Sequence, residues 1–202
     1  GGDGGDRPDD GVETRVAAEL RISRAPLREA ASALAEEGLL VKRPFSGYSV
    51  PELSHKSVID LFSTRTALES FAVEQCWPKR DAAFRAEIDA RHRALLDTVH
   101  AHNQAEAIKA ELNLHGLVYE WAGNDLLLNM WRMIAGKLQI YWSAHQRVHD
   151  RYGPLEDAHE AYVALLKGDD FPAMEAEIVA HMQRGLATLV RRLDMAGDDV
   201  QS

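Results

Sequence analysis

Three histidines stand where apolar residues are expected. His115 shares a stripe with Ile108, Leu112, Val118 and Ala122, His159 with Leu155, Tyr162, Val163 and Leu166, and His181 with Met174, Ile178, Gly185 and Leu189. Residues three or four apart lie on one helix face, so each imidazole is expected to face the core of its helix. Glu111 comes one turn before His115 and puts a carboxylate on the same face. His159 precedes Gly168 by nine residues, and His181 follows Pro172 by nine. Antiparallel helices joined between them would hold both rings at one height, roughly 13 Å from the turn at 1.5 Å per residue. A lone core histidine is ordinarily just hydrogen-bonded. Three inward imidazoles with a carboxylate suit a divalent transition metal such as zinc, nickel or manganese.

Arg65 is a second misfit, on an apolar stripe between Leu61 and Leu68. A buried guanidinium requires a partner. Two partners are open: Glu69, one turn on, or an anionic ligand inside the helices. A third set is Ser23, Arg24 and Arg28. Ser23 is a good N-cap, Pro26 fits a first turn, and Gly38 is a natural stop. Arg24 and Arg28 then share the N-terminal end of one helix, about 24–37.

The elements that must position these residues fall into two parts. Residues 13–20 form a short helix, 21–23 a turn, and 24–37 the second helix. Two short β-prone runs around Ser46-Gly47 follow and read as a hairpin. This order is that of a winged helix-turn-helix, whose second helix enters the major groove with its N-terminal end leading. After Pro51 the chain reads as helix throughout. The apolar spacing predicts helices beginning near Ser57, then over 79–102, 104–122, 125–147, 154–167 and 172–193, packed as an antiparallel bundle. The expected organisation is a Gly- and Asp-rich flexible tail at 1–10, a DNA-binding domain at 11–52, an all-helical domain at 53–193 and a second tail at 194–202.

Composition bounds the function. The 202 residues are 46% hydrophobic, enough for real cores, and the net charge is −9, which argues against non-specific coating of nucleic acid. The charge is uneven, however: 11–50 carries net +1 and 51–202 net −7. No run approaches the roughly 20 apolar residues of a membrane span, and no signal peptide is visible. The single cysteine, Cys76, rules out an internal disulfide and suits a cytoplasmic protein; it reads as a small buried hydrophobe. Trp77, Trp121, Trp131 and Trp142 read as core, and His55, His92, His100 and His102 as surface. His145 and His149, four apart, could chelate a metal but read as a packed and a solvated residue.

The run from Glu13 to Val50 resembles the DNA-binding domain of the GntR family of bacterial repressors. The motifs are Ser23-Arg24, Pro26-Leu27-Arg28-Glu29-Ala30, Glu37-Gly38-Leu39 and the wing pair Gly47-Tyr48. The resemblance implies operator binding through Ser23, Arg24, Arg28 and Gly47, by a homodimer on a palindromic site. It also implies a further helix ahead of Glu13, where this chain offers the Gly/Asp-rich run. About residues 55–192 resemble the ligand-binding domain of the FadR subfamily. Its metal-binding branch carries Asp-x-x-x-His and two later histidines. These fall here on Glu111-His115, His159 and His181, with Glu in place of Asp. The resemblance implies an organic-acid or fatty-acid-derived effector, and the expectation from the residues is a small carboxylate that bridges the metal and Arg65. The alternative is a helical metal-dependent hydrolase, for which His149-Asp150 is the one suggestive dipeptide. It lacks further His and Asp residues at suitable spacing, so the expectation is a regulator rather than an enzyme.

Overall fold

The computed structural model describes residues 8–44, 47–51, 53–146 and 157–199. The chain divides into two compact units, Gly1–Glu52 and Leu53–Ser202.

In the first unit, α1 (Pro8–Leu20) and α2 (Arg24–Glu36) are followed by β1 (Val41–Arg43) and β2 (Gly47–Ser49). α1 begins five residues before the expected start at Glu13 and takes in 8–10 of the run read as a tail; Pro8 pre-sets φ for a first turn. Ser23 occupies the N-cap of α2 with extended backbone, but its side chain makes no capping hydrogen bond. α2 stops as expected at Gly38, whose φ of 71° suits a residue without Cβ. The strands pair antiparallel, Val41 with Ser49, Lys42 with Tyr48 and Arg43 with Gly47, and Gly47 has φ 72°. Two helices and a hairpin enclose little. Ala17 and Leu39 are buried, while Leu20, Ile22, Leu34, Val41 and Val50 stay exposed.

The second unit is helical among its described residues: α3 (His55–Cys76), α4 (Ala82–His100), α5 (Gln104–Ala122), α6 (Asp125–Gln146), α7 (Glu160–Lys167) and α8 (Phe171–Asp199). Side chains start these helices. Ser54 and Ser57 form a reciprocal capping box on α3. Asp81 accepts from the Ala83 and Phe84 amides on α4, and Asn103 from Glu106 on α5. Asn124 accepts from Leu127 on α6, and Asp170 from Ala173 on α8. α5 ends at Gly123 in the left-handed conformation. It packs against α3, α4 and α6 while α3 also packs on α8, and α7 on α8 and α4. Leu114, Leu117, Val118 and Tyr119 of α5 are wholly buried with Val58, Phe84, Ile88, Leu138, Tyr162 and Ile178. No helix of the described residues is long and apolar enough to cross a membrane.

Several details differ from expectation. The helix expected over 154–167 is described only from Glu160, and His159 is its N-cap rather than a mid-helix residue. α8 runs on to Asp199, into the stretch read as a second tail. His149, Asp150 and Leu155 lie outside the described residues, as does the side chain of His145. His92 is half-buried, not a surface residue, and its Nε2 is enclosed without a hydrogen-bond partner. Burial, then nearby His159, lowers its pKa. Cys76 is wholly buried, and burial pushes its thiol up to about 12.

Candidate metal centre and nucleic-acid interface

The three core histidines converge. His115 comes from α5, His159 from the N-cap of α7, and His181 from α8. Their ring centroids are 5.3 Å apart for His115 and His159, 5.1 Å for His115 and His181, and 4.7 Å for His159 and His181. One ring nitrogen of each lies within 4.8 Å of the other two. All three residues are buried. His115 Nε2, His159 Nε2 and His181 Nδ1 are each enclosed without a hydrogen-bond partner.

Three enclosed imidazole nitrogens without partners call for a common one, since buried polar atoms are rarely left unpaired. Burial, more than any neighbour, lowers the pKa of His115 and His181. Both therefore stay neutral, the form that ligates metals. Glu111 Oε1 lies 3.6 Å from His159 Nε2, at the edge of the cluster and outside the tight set of three. Burial alone would raise its carboxyl; His159, His115 and Arg65 outweigh burial and lower it. An ionised carboxylate beside three buried imidazoles fits a divalent transition metal.

The sequence reading left Arg65 between two partners, and the structure supplies the internal one without exhausting it. Arg65 Nε lies 3.5 Å from Glu69 Oε2, with both side chains buried. Even so, Arg65 Nε and Nη2 and Glu69 Oε2 make no hydrogen bond, and neither does the buried Tyr119 hydroxyl. The guanidinium carbon lies 5.6 Å from the centroid of the Trp131 ring and 6.0 Å from that of Phe62. Glu69 is the residue that sequence reasoning undervalued, having taken it only as a partner for Arg65. Its Oε1 lies 2.6 Å from His115 Nδ1 and accepts from the Tyr162 hydroxyl at 2.7 Å. The only signal for it was a Glu on the stripe of Arg65, one turn on.

In the first unit, Arg24 and Arg28 emerge together at the start of α2, and both reach Glu13 of α1. Arg28 Nε is 2.7 Å from Glu13 Oε2 and Arg24 Nη2 is 3.4 Å from the same oxygen. Both side chains remain about half exposed, at 56% and 42%. In the hairpin, Arg43 donates to Ser49 Oγ at 3.2 Å. The pairing explains how two cations are held at one helix end: the acid between them offsets their repulsion.

Comparison with known proteins extends this. The FCD domain profile matches residues 60–184. The HTH-type transcriptional regulator YdhC of Bacillus subtilis is 32% identical over 58% of this chain and 53% of its own length. The chain thus matches only about half of that relative. The Nta operon transcriptional regulator of Aminobacter aminovorans is 26% identical over 85% of this chain and 80% of its own. Among solved structures, E. coli McbR/YncC superposes with a TM-score of 0.79 at 18% identity, covering 90% of this chain and 86% of that one. A transcriptional regulator GntR from Rhodococcus sp. RHA1 gives 0.72 at 18% identity, covering 88% and 84%. At such identities the structural likeness speaks for the fold. None of these proteins is described as a hydrolase.

Proposed function

Because the chain belongs to the FCD domain family of GntR-type transcriptional regulators, we propose that it represses an operon for small-acid metabolism. In this reading a homodimer in the cytoplasm binds a palindromic operator and is switched by a small carboxylate effector. The observation that carries the reading is the cluster of His115, His159 and His181. Each ring offers a nitrogen within 4.8 Å of the other two and each has an enclosed nitrogen without a partner, in the same core as the incompletely paired Arg65.

His115, His159, His181 and Glu111 would hold a divalent metal, whether zinc, nickel or manganese. When bound, the ion offers a carboxylate oxygen a positive point of attachment. The chain supplies the rest. Arg65 presents a guanidinium able to take a carboxylate in a bidentate fork, while Trp131 and Phe62 flank it and keep water out. Ser23, Arg24, Arg28 and the wing at Gly47 would meet DNA, the arginines at base edges or phosphates. An effector shifts operator affinity only by preferring one arrangement of the dimer.

Native mass spectrometry of the purified protein tests metal content and oligomeric state together. Calorimetry then takes lactate, citrate, pyruvate, succinate and sugar acids to metal-loaded protein, metal-free protein and Arg65→Ala. The expected result is one acid that binds the metal-loaded protein alone and changes operator affinity in a gel shift. An acid that binds all three equally well overturns the bridging arrangement.

A further inference from the structure

Glu69 sits at the meeting point of the metal cluster and Arg65, and it comes from α3, which contributes no metal-ligating candidate. It is wholly buried. Its two oxygens face different neighbours. Oε1 lies 2.6 Å from His115 Nδ1 and accepts from Tyr162 at 2.7 Å, whereas Oε2 lies 3.5 Å from Arg65 Nε.

We infer that Glu69 is a positioning residue for the metal centre, orienting His115 so that Nε2 presents its lone pair to the ion. This deepens the metal reading above and rests on it. The argument is one of donors and acceptors. A carboxylate paired with Arg65 only accepts hydrogen bonds. The nitrogen of His115 facing it at 2.6 Å must therefore carry the hydrogen, and His115 is held as the Nδ1–H tautomer. In a neutral imidazole the other nitrogen is then the acceptor. That other atom is Nε2, which is buried and lacks any partner, on a ring that belongs to the cluster of three. Tautomer, ring orientation and ligand atom are all set by one contact from another helix. Partners of this kind, behind a ligating imidazole, tune metal affinity by about 10–100-fold.

The arrangement also explains why the position takes an acid rather than a backbone carbonyl or an amide. Oε1 serves His115 and Tyr162 at once, and Oε2 faces Arg65. An incoming carboxylate at Arg65 therefore meets the same side chain that aligns His115, which ties acid binding to the geometry of the metal site.

The test uses the full chain and zinc as probe. Long-range nitrogen–proton NMR on metal-free protein reports the His115 tautomer, assigned by its disappearance in His115→Ala. Competition against a chromogenic chelator gives zinc affinity for the unmutated protein, Glu69→Gln and Glu69→Ala. The expected result is the Nδ1–H tautomer in the unmutated protein, with zinc affinity weakened about 10–100-fold in Glu69→Ala. Glu69→Gln, which keeps an acceptor but not the charge, should fall between them. Should Glu69→Ala fail to fold, the tautomer and Glu69→Gln decide alone. An Nε2–H tautomer, or unmutated affinity in the folded Glu69 variants, overturns the inference. Failure of the unmutated protein to take zinc overturns the metal reading itself, while the tautomer still reports whether Glu69 orients His115.

Discussion

The Arg28 guanidinium of α2 lies 2.7 Å from the Glu13 carboxylate of α1, and Arg24 shares the same oxygen at 3.4 Å. The helix proposed to enter the major groove thus carries its cations as an anchored pair. Exposed ion pairs of this kind contribute little stability, so the proposed recognition role is what a substitution there tests. Arg28→Ala is expected to weaken binding to a short palindromic operator by about 1–3 kcal/mol if the side chain reads a base edge. A gel-shift titration measures this. Unchanged affinity in both Arg24→Ala and Arg28→Ala sinks the assignment.

Metal should bind stoichiometrically and be lost on His159→Ala or His181→Ala, as read by elemental analysis after chelator-free purification. Binding to the folded state alone adds about 2.7 kcal/mol when free metal is 100 times Kd. Chelator should therefore lower the melting temperature of the unmutated protein and leave that of the His159→Ala/His181→Ala double variant where it was. A chelator effect equal in both would place the metal elsewhere.

Packing between α3 and α8 should be intolerant at Gly185. A Cβ there would come within 2.9 Å of Phe62 Cε1, and Phe62 is a buried ring. Gly185→Ala is expected to cost about 1–3 kcal/mol, the usual range for an overpacked core, despite alanine's better helix propensity. Urea unfolding decides it; a stabilised variant would mean that the interface relaxes freely.

Cys76 should behave as an inert core thiol. Its folded pKa is raised to about 12, chiefly by burial. A group raised in this way contributes stability that is fully present below the ordinary thiol value of about 8.5. That contribution is lost as pH rises through the folded value. Native protein at pH 8 should resist a thiol-specific disulfide reagent and react only on unfolding. Stability should decline between about pH 9 and 12, and Cys76→Ala should flatten that limb. Rapid labelling of native protein at pH 8 would contradict the burial.

The sequence by itself determined the element order and the three histidines of the cluster. Apolar periodicity places α5 and α6 within a residue or so, because long amphipathic helices impose a 3.6-residue period over many turns. Gly38 and Gly123 mark ends that only a residue without Cβ adopts cheaply. His115 and His181 are legible because a polar residue on an apolar stripe is an anomaly along one helix, whereas His159 joins them from the N-cap of α7. The start of α1 at Pro8 was not legible, since its first residues are helix-poor in composition. Nor was the half-burial of His92, which depends on what packs against α4. Only the tertiary structure decided that Glu69 of α3 stands behind His115 of α5, 46 residues apart in the chain. It also left Arg65 near Glu69 with hydrogen-bonding capacity unspent. Such pairings are fixed by how helices cross, and no periodicity within a single helix records what a neighbouring helix presents to it.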